Sequence, residues 1–202
     1  MERATRIVIE GVHSPVYHVS DTSSTLDLAA SLLTDTTTAT PHLTTIIADR
    51  QSAGRGRLGR TWTAPDGQAL LASTIVSLPP SFPTEMLGWL VHACALSVRD
   101  ALSPRLTSIG HTVSLKWPND VLVDGARKIC GILAQLAPAS SPFTTSAILG
   151  YGINIGQDSD HLATPQATSL YTEGDAEAGA DPTSVSHTLL AQTQTLLEHS
   201  SH

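Results

Sequence analysis

Residues 50–60 read Arg-Gln-Ser-Ala-Gly-Arg-Gly-Arg-Leu-Gly-Arg, which places four arginines and three glycines in eleven positions. This segment is predicted to be a loop, because glycine gives the backbone freedom to wrap around a ligand and leaves no side chain in its way. Arginine supplies permanent charge and forked donors that suit phosphate or carboxylate. Since the chain carries a formal net charge of -7, this local concentration of positive charge predicts a site for an anionic ligand.

The remaining cations support that interpretation. The chain has only 11 Lys and Arg residues, and a second short window holds three of them, Lys116, Arg127 and Lys128. Both lysines of the chain lie in this window, so neither is one of many solubilising surface lysines. The positive charge is therefore concentrated in two segments rather than scattered.

Length and composition restrict the class of protein. The 202 residues suffice for one domain with a substantial core. No apolar run approaches the roughly 20 residues of a membrane-spanning helix, and no signal-type stretch follows the N-terminus, so a cytoplasmic protein is expected. Cys94 and Cys130 lie in apolar segments without metal-ligand or disulfide spacing, which predicts buried free thiols. The acidic net charge and the few residues before residue 24 argue against nucleic-acid binding.

Hydrophobic periodicity predicts helices interspersed with short strands. Ser24-Thr25 ahead of Leu26, with Asp27 three residues after Ser24, predicts a capped helix. Further helices are predicted over 84–102 and 183–199, strands over 43–48, 68–78, 113–117, 121–123, 129–136 and 147–155, a hairpin turn at Asp124-Gly125, and a mobile acidic loop over 172–182. Hairpins in place of strand-helix-strand repeats predict an α+β fold with a mixed, mainly antiparallel sheet packed with helices.

Two common phosphate-binding patterns do not account for the loop. The chain has no Gly-x4-Gly-Lys-Ser/Thr string. Gly54, Gly56 and Gly59 have the bare spacing of a dinucleotide-binding turn, but residues 60–67 predict a turn where that fold requires a helix. The dinucleotide interpretation is therefore disfavoured.

Four segments, in order, resemble the motifs of biotin protein ligases. They are Gly-Arg-Gly-Arg-Leu-Gly-Arg-Thr-Trp at 54–62, Lys-Trp-Pro-Asn-Asp at 116–120, Arg-Lys-Ile-Cys-Gly-Ile-Leu at 127–133 and Gly-Tyr-Gly-Ile-Asn-Ile at 150–155. The resemblance implies a catalytic domain over 1–202, in the short form without an N-terminal DNA-binding module, and the fold shared by class II aminoacyl-tRNA synthetases and biotin ligases. The family normally continues into a small β-barrel domain. Because the sequence ends at His202, we expect that domain to be absent.

The resemblance also implies a two-step reaction. Biotin and ATP, assisted by Mg²⁺, form biotinyl-5'-adenylate, and a lysine of a biotin carboxyl carrier domain, from a biotin-dependent carboxylase, then takes the biotinyl group. An alternative is a protein that holds biotin or its adenylate with weak or no transfer, because of the missing domain. Lipoate or octanoate transfer is disfavoured, since those families carry different glycine-rich and lysine motifs. A monomer and a side-by-side homodimer are both compatible with the sequence.

Individual roles follow from the same resemblance. Lys128 is the leading catalytic candidate, because its ammonium would stabilise charge on both the carboxylate and the α-phosphate; Arg57 and Asp120 are the others. The residues implied for biotin are Ser24, Thr25, Gln51, Gly54, Arg55, Arg57, Lys128 and Gly131. Those implied for ATP are Arg57, Arg60, Trp62 (stacked on adenine), Lys116, Asn119 and Asn154. No residue is predicted to be a resident metal ligand, although Asn119 and Asp120 would position Mg²⁺ or the acceptor amine.

Other residues have simpler interpretations. Leu26 stands where the family usually has asparagine, which removes a polar contact on the biotin side. Trp117 is expected to be a core aromatic. For Trp62, a core aromatic is the alternative to a residue that stacks on adenine. Arg127 is interpreted as a solvated neighbour of Lys128, and no histidine pair has convincing metal-ligand spacing.

Overall fold

A computed structural model describes residues 4–35, 40–137 and 145–199. Its strands are β1 (Thr5–Ile7), β2 (Val16–Thr22), β3 (Thr45–Gln51), β4 (Ala69–Leu78), β5 (Val113–Lys116), β6 (Asp120–Val123), β7 (Arg127–Leu136) and β8 (Thr145–Asn154). Its helices are α1 (Thr25–Thr34), α2 (Leu87–Ser108), α3 (Ala176–Ala180) and α4 (Pro182–His199), with short 3₁₀ turns at Arg57–Gly59, Thr84–Met86 and Ser159–His161. The predicted domain span of 1–202 includes positions outside these described ranges and stays a prediction.

The eight strands form one sheet in the order β1-β2-β3-β4-β8-β7-β6-β5. Within the described residues, β2 and β3 are the only parallel neighbours, and the other neighbouring pairs are antiparallel. The last strand along the chain, β8, lies between β4 and β7 near the middle of the sheet. The predicted α+β fold with a mixed, mainly antiparallel sheet is confirmed.

Helices cover the two faces of the sheet unequally. Under α2 and α4 lies the larger core, where Leu102, Leu189 and Ile153 are fully buried. On the opposite face, α1 packs through Leu26 and Ala29 on a smaller apolar cluster from β3, β4 and β8. Helix α1 contacts β3, β4 and β8 on this face. Among the described helices, none combines the length and apolar composition that crossing a membrane would require.

Both cysteines are buried free thiols, as the sequence predicts. Burial raises the pKa of the Cys94 thiol to about 12 and also raises that of Cys130. The neutral thiols pack among apolar neighbours in the larger core.

The predicted and observed elements differ mainly at their ends. Helix α2 continues to Ser108, past the predicted end at 102, with Pro104 inside it. The sequence does not predict β1 or β2. In β2 the two buried residues, Val16 and Val19, are three positions apart and do not alternate, so the strand lacks its usual periodicity.

The prediction of a mobile acidic loop over 172–182 is wrong. Residues 176–180 form α3, and the acidic side chains before and within it are held by arginines from other elements. Arg105 of α2 donates to both oxygens of Asp175, at 2.8 and 3.1 Å, and to Glu177 at 2.9 Å. The segment is ordered because its negative charge is matched by cations distant in sequence.

Candidate functional site

A cavity of about 490 Å³ opens on the face of the sheet that carries α1. Its walls come from the N-terminus of α1, the loop at residues 52–62 (the Gly-Arg loop), the turn between β5 and β6, strands β7 and β8, and residues 163–167. Except for Gly54, every residue that the sequence singles out for the site lines it: Ser24, Thr25, Gln51, Arg55, Arg57, Arg60, Trp62, Lys116, Asn119, Asp120, Lys128, Gly131 and Asn154. The four motif segments therefore meet in one place.

Gly54 does not line the cavity, but it shapes the Gly-Arg loop. Its carbonyl accepts a hydrogen bond from Trp62 N at 2.9 Å, and a side chain at this position would collide with the Trp62 carbonyl. Further along, Gly56 N donates to Arg60 O at 2.7 Å. The loop is thus a narrow hairpin closed on itself, and Gly54 permits the close approach of its two ends.

Positive charge dominates the cavity. Five cationic side chains line it, and Asp120 is the one carboxylate among the lining residues in the described part of the chain; the cations are Arg55, Arg57, Arg60, Lys116 and Lys128. In a chain of formal net charge -7, this local excess creates a field that attracts a polyanion. Arg50 belongs to β3 and does not line the cavity, whereas all three arginines of the Gly-Arg loop do.

Two of these arginines fasten the Gly-Arg loop to other walls. Arg55 donates to Asp27 Oδ1 of α1 at 2.7 Å and to Gln135 Oε1 of β7 at 3.1 Å. Arg57 reaches the turn between β5 and β6, where it donates to Asn119 Oδ1 at 3.2 Å. The loop is therefore held across the cavity by two side-chain hydrogen bonds from Arg55 and one from Arg57.

Lys128 and Asp120 form an ion pair on adjacent strands. Lys128 Nζ lies 2.7 Å from Asp120 Oδ1 and 5.6 Å from the centre of the Trp62 ring. Strand β6 pairs Val121 with Cys130 and Leu122 with Lys128, so the intervening residue of β7 has no partner and forms a bulge. The bulge puts Lys128 on the same face as Gly131, although they are three positions apart.

Gly131 and Gly152 provide a flat floor for the Trp62 indole. The two glycines are direct partners on β7 and β8. A methyl group on Gly152 would come within 2.5 Å of Trp62 Nε1, and one on Gly131 within 3.0 Å of Cζ3. The indole is half-buried, and its Nε1 has no hydrogen-bond partner among the described residues.

The α1 end of the cavity is polar and built around Gln51. Its Oε1 accepts hydrogen bonds from Thr25 N at 2.7 Å and Thr25 Oγ1 at 3.0 Å, and Ser73 Oγ donates to Thr25 Oγ1 at 2.8 Å. Ser24 occupies the N-cap position of α1 but makes no side-chain cap. Its buried Oγ has no partner within the described ranges. Gln51 thus satisfies the helix end and leaves the Ser24 hydroxyl available to a ligand.

Leu26 supplies an apolar surface beside this polar end. It is 3% exposed, and a methyl group on Gly150 would meet its Cγ at 2.9 Å. Leu26 therefore packs on the α1 face of β8 and lines the cavity.

Asn154 has structural partners within the protein. Its Nδ2 donates to Thr168 O at 2.9 Å, and its Oδ1 accepts from Gln157 Nε2 at 2.9 Å. Since an amide nitrogen has two hydrogens, one donor is left for a ligand. The predicted contact with adenine or ribose stays a prediction.

Two interpretations from the sequence are wrong. Trp117 is 77% exposed and lies on the turn between β5 and β6, so it is not a core residue. Arg127 is more than a solvated neighbour of Lys128. It donates to Glu173 through Nε at 2.6 Å and to Asp124 at 2.8 Å.

Glu173 and its partners form a charged cluster beside the cavity. A ring nitrogen of His111 and a carboxylate oxygen from each of Asp124 and Glu173 lie within 4.8 Å of one another. Arg127 contacts both carboxylates and supplies positive charge there. The hydrogen bond with Asp124 raises the pKa of His111. Burial opposes the ionised form of Glu173, but hydrogen bonds from Arg127 and Thr168 outweigh it and lower the pKa of Glu173. The carboxylate is thus ionised and held.

Sequence reasoning missed the wall at residues 163–167 and the cluster at Glu173. Residues 163–167 have no hydrophobic periodicity, and Glu173 was one acid among several in an acidic stretch. Residues 163–167 and Glu173 are distinguished only by their contacts with β7, which the tertiary structure shows.

Comparison with known proteins places these features in context. The chain matches the biotin/lipoate A/B protein ligase family over residues 20–154. The biotin–[acetyl-CoA-carboxylase] ligase of Mycobacterium tuberculosis is 40% identical over 129 residues, covering 64% of this chain and 45% of that protein. The bifunctional ligase/repressor BirA of Bacillus spizizenii is 36% identical over 120 residues, covering 59% and 35%. The matches thus span less than half the length of these relatives.

Solved structures share the fold. A biotin protein ligase from Aquifex aeolicus, in complex with biotin and ATP, has a TM-score of 0.64 at 29% identity, covering 93% of this chain and 71% of that one. A biotin protein ligase from Leishmania major, in complex with biotinyl-5-AMP, has a TM-score of 0.66 at 24% identity, covering 91% and 75%. At 24% identity, the similarity to the L. major ligase shows a shared fold.

Proposed function

Because the chain belongs to the biotin/lipoate A/B protein ligase family, we propose that it activates biotin with ATP and transfers the biotinyl group to a lysine of a biotin carboxyl carrier domain. The observation that carries this proposal is one cavity with a polar end at α1 and five cations around a single carboxylate. Biotin's ureido group suits the polar end, and its carboxylate and the triphosphate suit the cations. The similar A. aeolicus ligase holds biotin and ATP.

In the first step, a biotin carboxylate oxygen attacks the α-phosphorus of ATP. The bond from that phosphorus to the oxygen bridging to the β-phosphate breaks, and pyrophosphate leaves. Two anions must approach, so the site has to neutralise charge where they meet. Lys128 would lie between them, since it lines the cavity and its ammonium is held by Asp120. Arg57, Arg60 and Lys116 would bind the phosphates.

The residues present fit a magnesium ion bound with the nucleotide. Mg²⁺ is usually held by one or two carboxylates together with substrate phosphates. Asp120 lines the cavity and would supply the carboxylate. When bound, the ion neutralises part of the phosphate charge.

In the second step, the neutral amine of the carrier lysine attacks the acyl carbon. The bond to the AMP oxygen breaks, AMP leaves, and the amine loses a proton. Asp120 would orient the amine and accept that proton. The Gly-Arg loop, held to the far wall by Arg57 and Asn119, would exclude water that could hydrolyse the adenylate.

The polar end of the cavity favours biotin over lipoate. Ser24 Oγ is buried without a partner among the described residues, beside Thr25 and Gln51. A ureido group offers a carbonyl and two N–H groups to such side chains, whereas the dithiolane of lipoate offers no comparable hydrogen-bonding group. A site built to hydrogen-bond its ligand discriminates against an analogue that leaves its polar groups unpaired.

The test is to incubate the purified protein with ATP, Mg²⁺, biotin and an unmodified carrier domain. Pyrophosphate release reports the first step, and the mass of the carrier reports the second. We expect biotin-dependent release and one biotinyl group on the carrier, with lipoate inactive. Release without carrier modification would support the alternative, a protein that holds the adenylate with weak transfer. No biotin-dependent release would refute the proposal.

A matched pair of variants tests the biotin end. Ser24→Ala removes the unpartnered hydroxyl and should raise KM for biotin about fivefold or more, the size of one hydrogen bond. Ser52→Ala changes an exposed serine of the nearby loop and should leave KM unchanged. Equal values of KM in both variants would assign the ureido contact to other residues.

A further inference from the structure

Strand β8 ends at Asn154, before it reaches the level of Lys128 on β7. Residues 163–173, here called the strap, take its place. Lys128 N donates to Gln166 O at 2.7 Å, and Thr168 N donates to Lys128 O at 2.8 Å, which makes Lys128 and Ala167 an isolated parallel bridge. On this side, the backbone of the proposed catalytic lysine is therefore held by an irregular segment and not by a strand.

The other side of Lys128 is also irregular. Leu122 of β6 is its partner, but the register shifts immediately afterwards at the bulge. Bulges disrupt the local ladder and re-aim side chains. The backbone of Lys128 is thus held less firmly by neighbouring strands than that of a residue in a regular strand. The strap supplies two of its backbone hydrogen bonds.

Glu173 fastens the strap to β7. Its Oε1 accepts from Arg127 Nε at 2.6 Å and its Oε2 from the Arg127 guanidinium at 2.8 Å. Thr168 Oγ1 donates to the same carboxylate. Arg127 directly precedes Lys128, and Thr168 directly follows Ala167, so one carboxylate joins the residues on either side of the bridge. Its side chain is 6% exposed, and such a buried charge is strongly disfavoured without its partner.

We propose that Glu173 is a positioning residue for Lys128. Through Arg127 and Thr168, it holds the strap against β7 and so sets where the Lys128 ammonium lies in the cavity. The inference deepens the proposed function, because it takes Lys128 as the group that meets the carboxylate and the α-phosphate. A displacement of about 1 Å in such a group costs roughly 100-fold in rate.

Glu173→Gln is the main variant, since glutamine keeps the shape of glutamate and removes its charge. Glu177→Gln is the matched control. It removes a charge from the same acidic segment, but Glu177 is 61% exposed and pairs with Arg105 of α2. Thr168→Val removes the hydroxyl contacts with Glu173 and Thr172 and leaves the Arg127–Glu173 charge pair, so it gives a milder perturbation if Glu173→Gln does not fold.

The first measurement is independent of activity. Amide hydrogen exchange, followed by mass spectrometry, should rise at least about tenfold in the peptides containing the Lys128 and Thr168 amides in Glu173→Gln, less in Thr168→Val, and not in Glu177→Gln. Lys116 and Lys128 are the only lysines of the chain. The ratio of their acylation by a small amine-reactive ester should therefore shift towards Lys128 as its hold loosens, with Lys116 as internal reference.

The second measurement separates positioning from binding. In Glu173→Gln, kcat for biotin-dependent pyrophosphate release should fall about 10- to 100-fold, while KM for biotin should change much less than kcat, because Ser24 and Gln51 are untouched. Arg127→Gln should behave alike, and the double variant should lose little more than either single one, since each single variant already breaks the Arg127–Glu173 ion pair.

The inference would be overturned if Glu173→Gln had the same amide exchange, acylation ratio and kcat as the wild-type protein. It would also be overturned if Glu177→Gln changed these quantities as much as Glu173→Gln does. A wild-type protein without biotin-dependent pyrophosphate release would instead refute the proposed function. The exchange and acylation measurements would then still decide whether Glu173 holds the strap on Lys128.

Discussion

Gly152 is the position where one methyl group should most directly disturb the cavity. It pairs with Leu71 on β4 and Gly131 on β7, so neighbouring strands hold its backbone on both sides. A methyl group there would lie 2.5 Å from Trp62 Nε1 and 2.7 Å from Cζ2, where non-bonded carbon atoms keep about 3.5–4.0 Å. Because the backbone is held, the indole should move. Overpacking costs about 1–3 kcal/mol. This cost lowers the population of indole packed on the glycines, relative to displaced indole, by roughly 5- to 150-fold.

Fluorescence can follow that movement directly. Trp89 and Trp117 are 67% and 77% exposed, so Trp89→Phe and Trp117→Phe should be tolerated and leave Trp62 as the single fluorophore. In this background, Gly152→Ala should shift the emission of Trp62 to longer wavelength and increase its quenching by acrylamide. Titration calorimetry should show ATP affinity reduced about tenfold, within the range above.

Gly88→Ala is the control, because a methyl group there meets nothing within 4 Å and should change none of these quantities. If Gly152→Ala left the emission, quenching and ATP affinity of the single-tryptophan protein as they were, the packing of Trp62 on the glycine floor would be refuted. If the emission shifted while ATP affinity stayed the same, Trp62 would pack as described without contributing to the nucleotide site.

Further predictions concern single side chains. Lys128→Ala should slow adenylate formation at least about tenfold, the lower end for a lost charge-stabilising group; an unchanged rate of pyrophosphate release would assign that role elsewhere. Arg57→Gly removes the contact across the cavity and should raise the dissociation rate of the adenylate, and an unchanged rate would argue against closure by the loop. Leu102→Ala should lower the free energy of unfolding in urea by about 2–5 kcal/mol, whereas Trp117→Ala should change it by less than about 0.5 kcal/mol, because Trp117 is exposed; a large loss for Trp117 would mean that the turn packs differently.

Local patterns allowed much of the fold to be predicted. Helix α4 and the central strands β4 and β8 have continuous apolar periodicity, so their places were close to those predicted. The Asp124-Gly125 turn was predicted from its residue types, which suit the positive φ that both residues adopt in the hairpin. β1 and β2 were not, because their few buried residues follow no period.

The strap shows where this kind of reasoning ends. Nothing in residues 163–173 distinguishes Glu173 from the acids that follow it. Its importance comes from Arg127, 46 positions away, which lies at the hairpin beside Lys128. A contact between residues so far apart leaves no periodic signal in either segment, so the acidic stretch was predicted to be mobile although Arg105 and Arg127 hold it.

The sequence by itself determined the chemistry of this protein: arginines between glycines, two lysines in a second short window, and hydroxyl and amide groups after residue 23. These are properties of residue types and short spacings, which a linear chain displays directly. The tertiary structure alone decided how they are aimed. A bulge in β7 turned Lys128 towards the cavity, Gln51 capped α1 and freed Ser24, and Trp117 was left in solvent. Side-chain direction depends on strand register and on hydrogen bonds between distant segments, and these exist only once the sheet has formed.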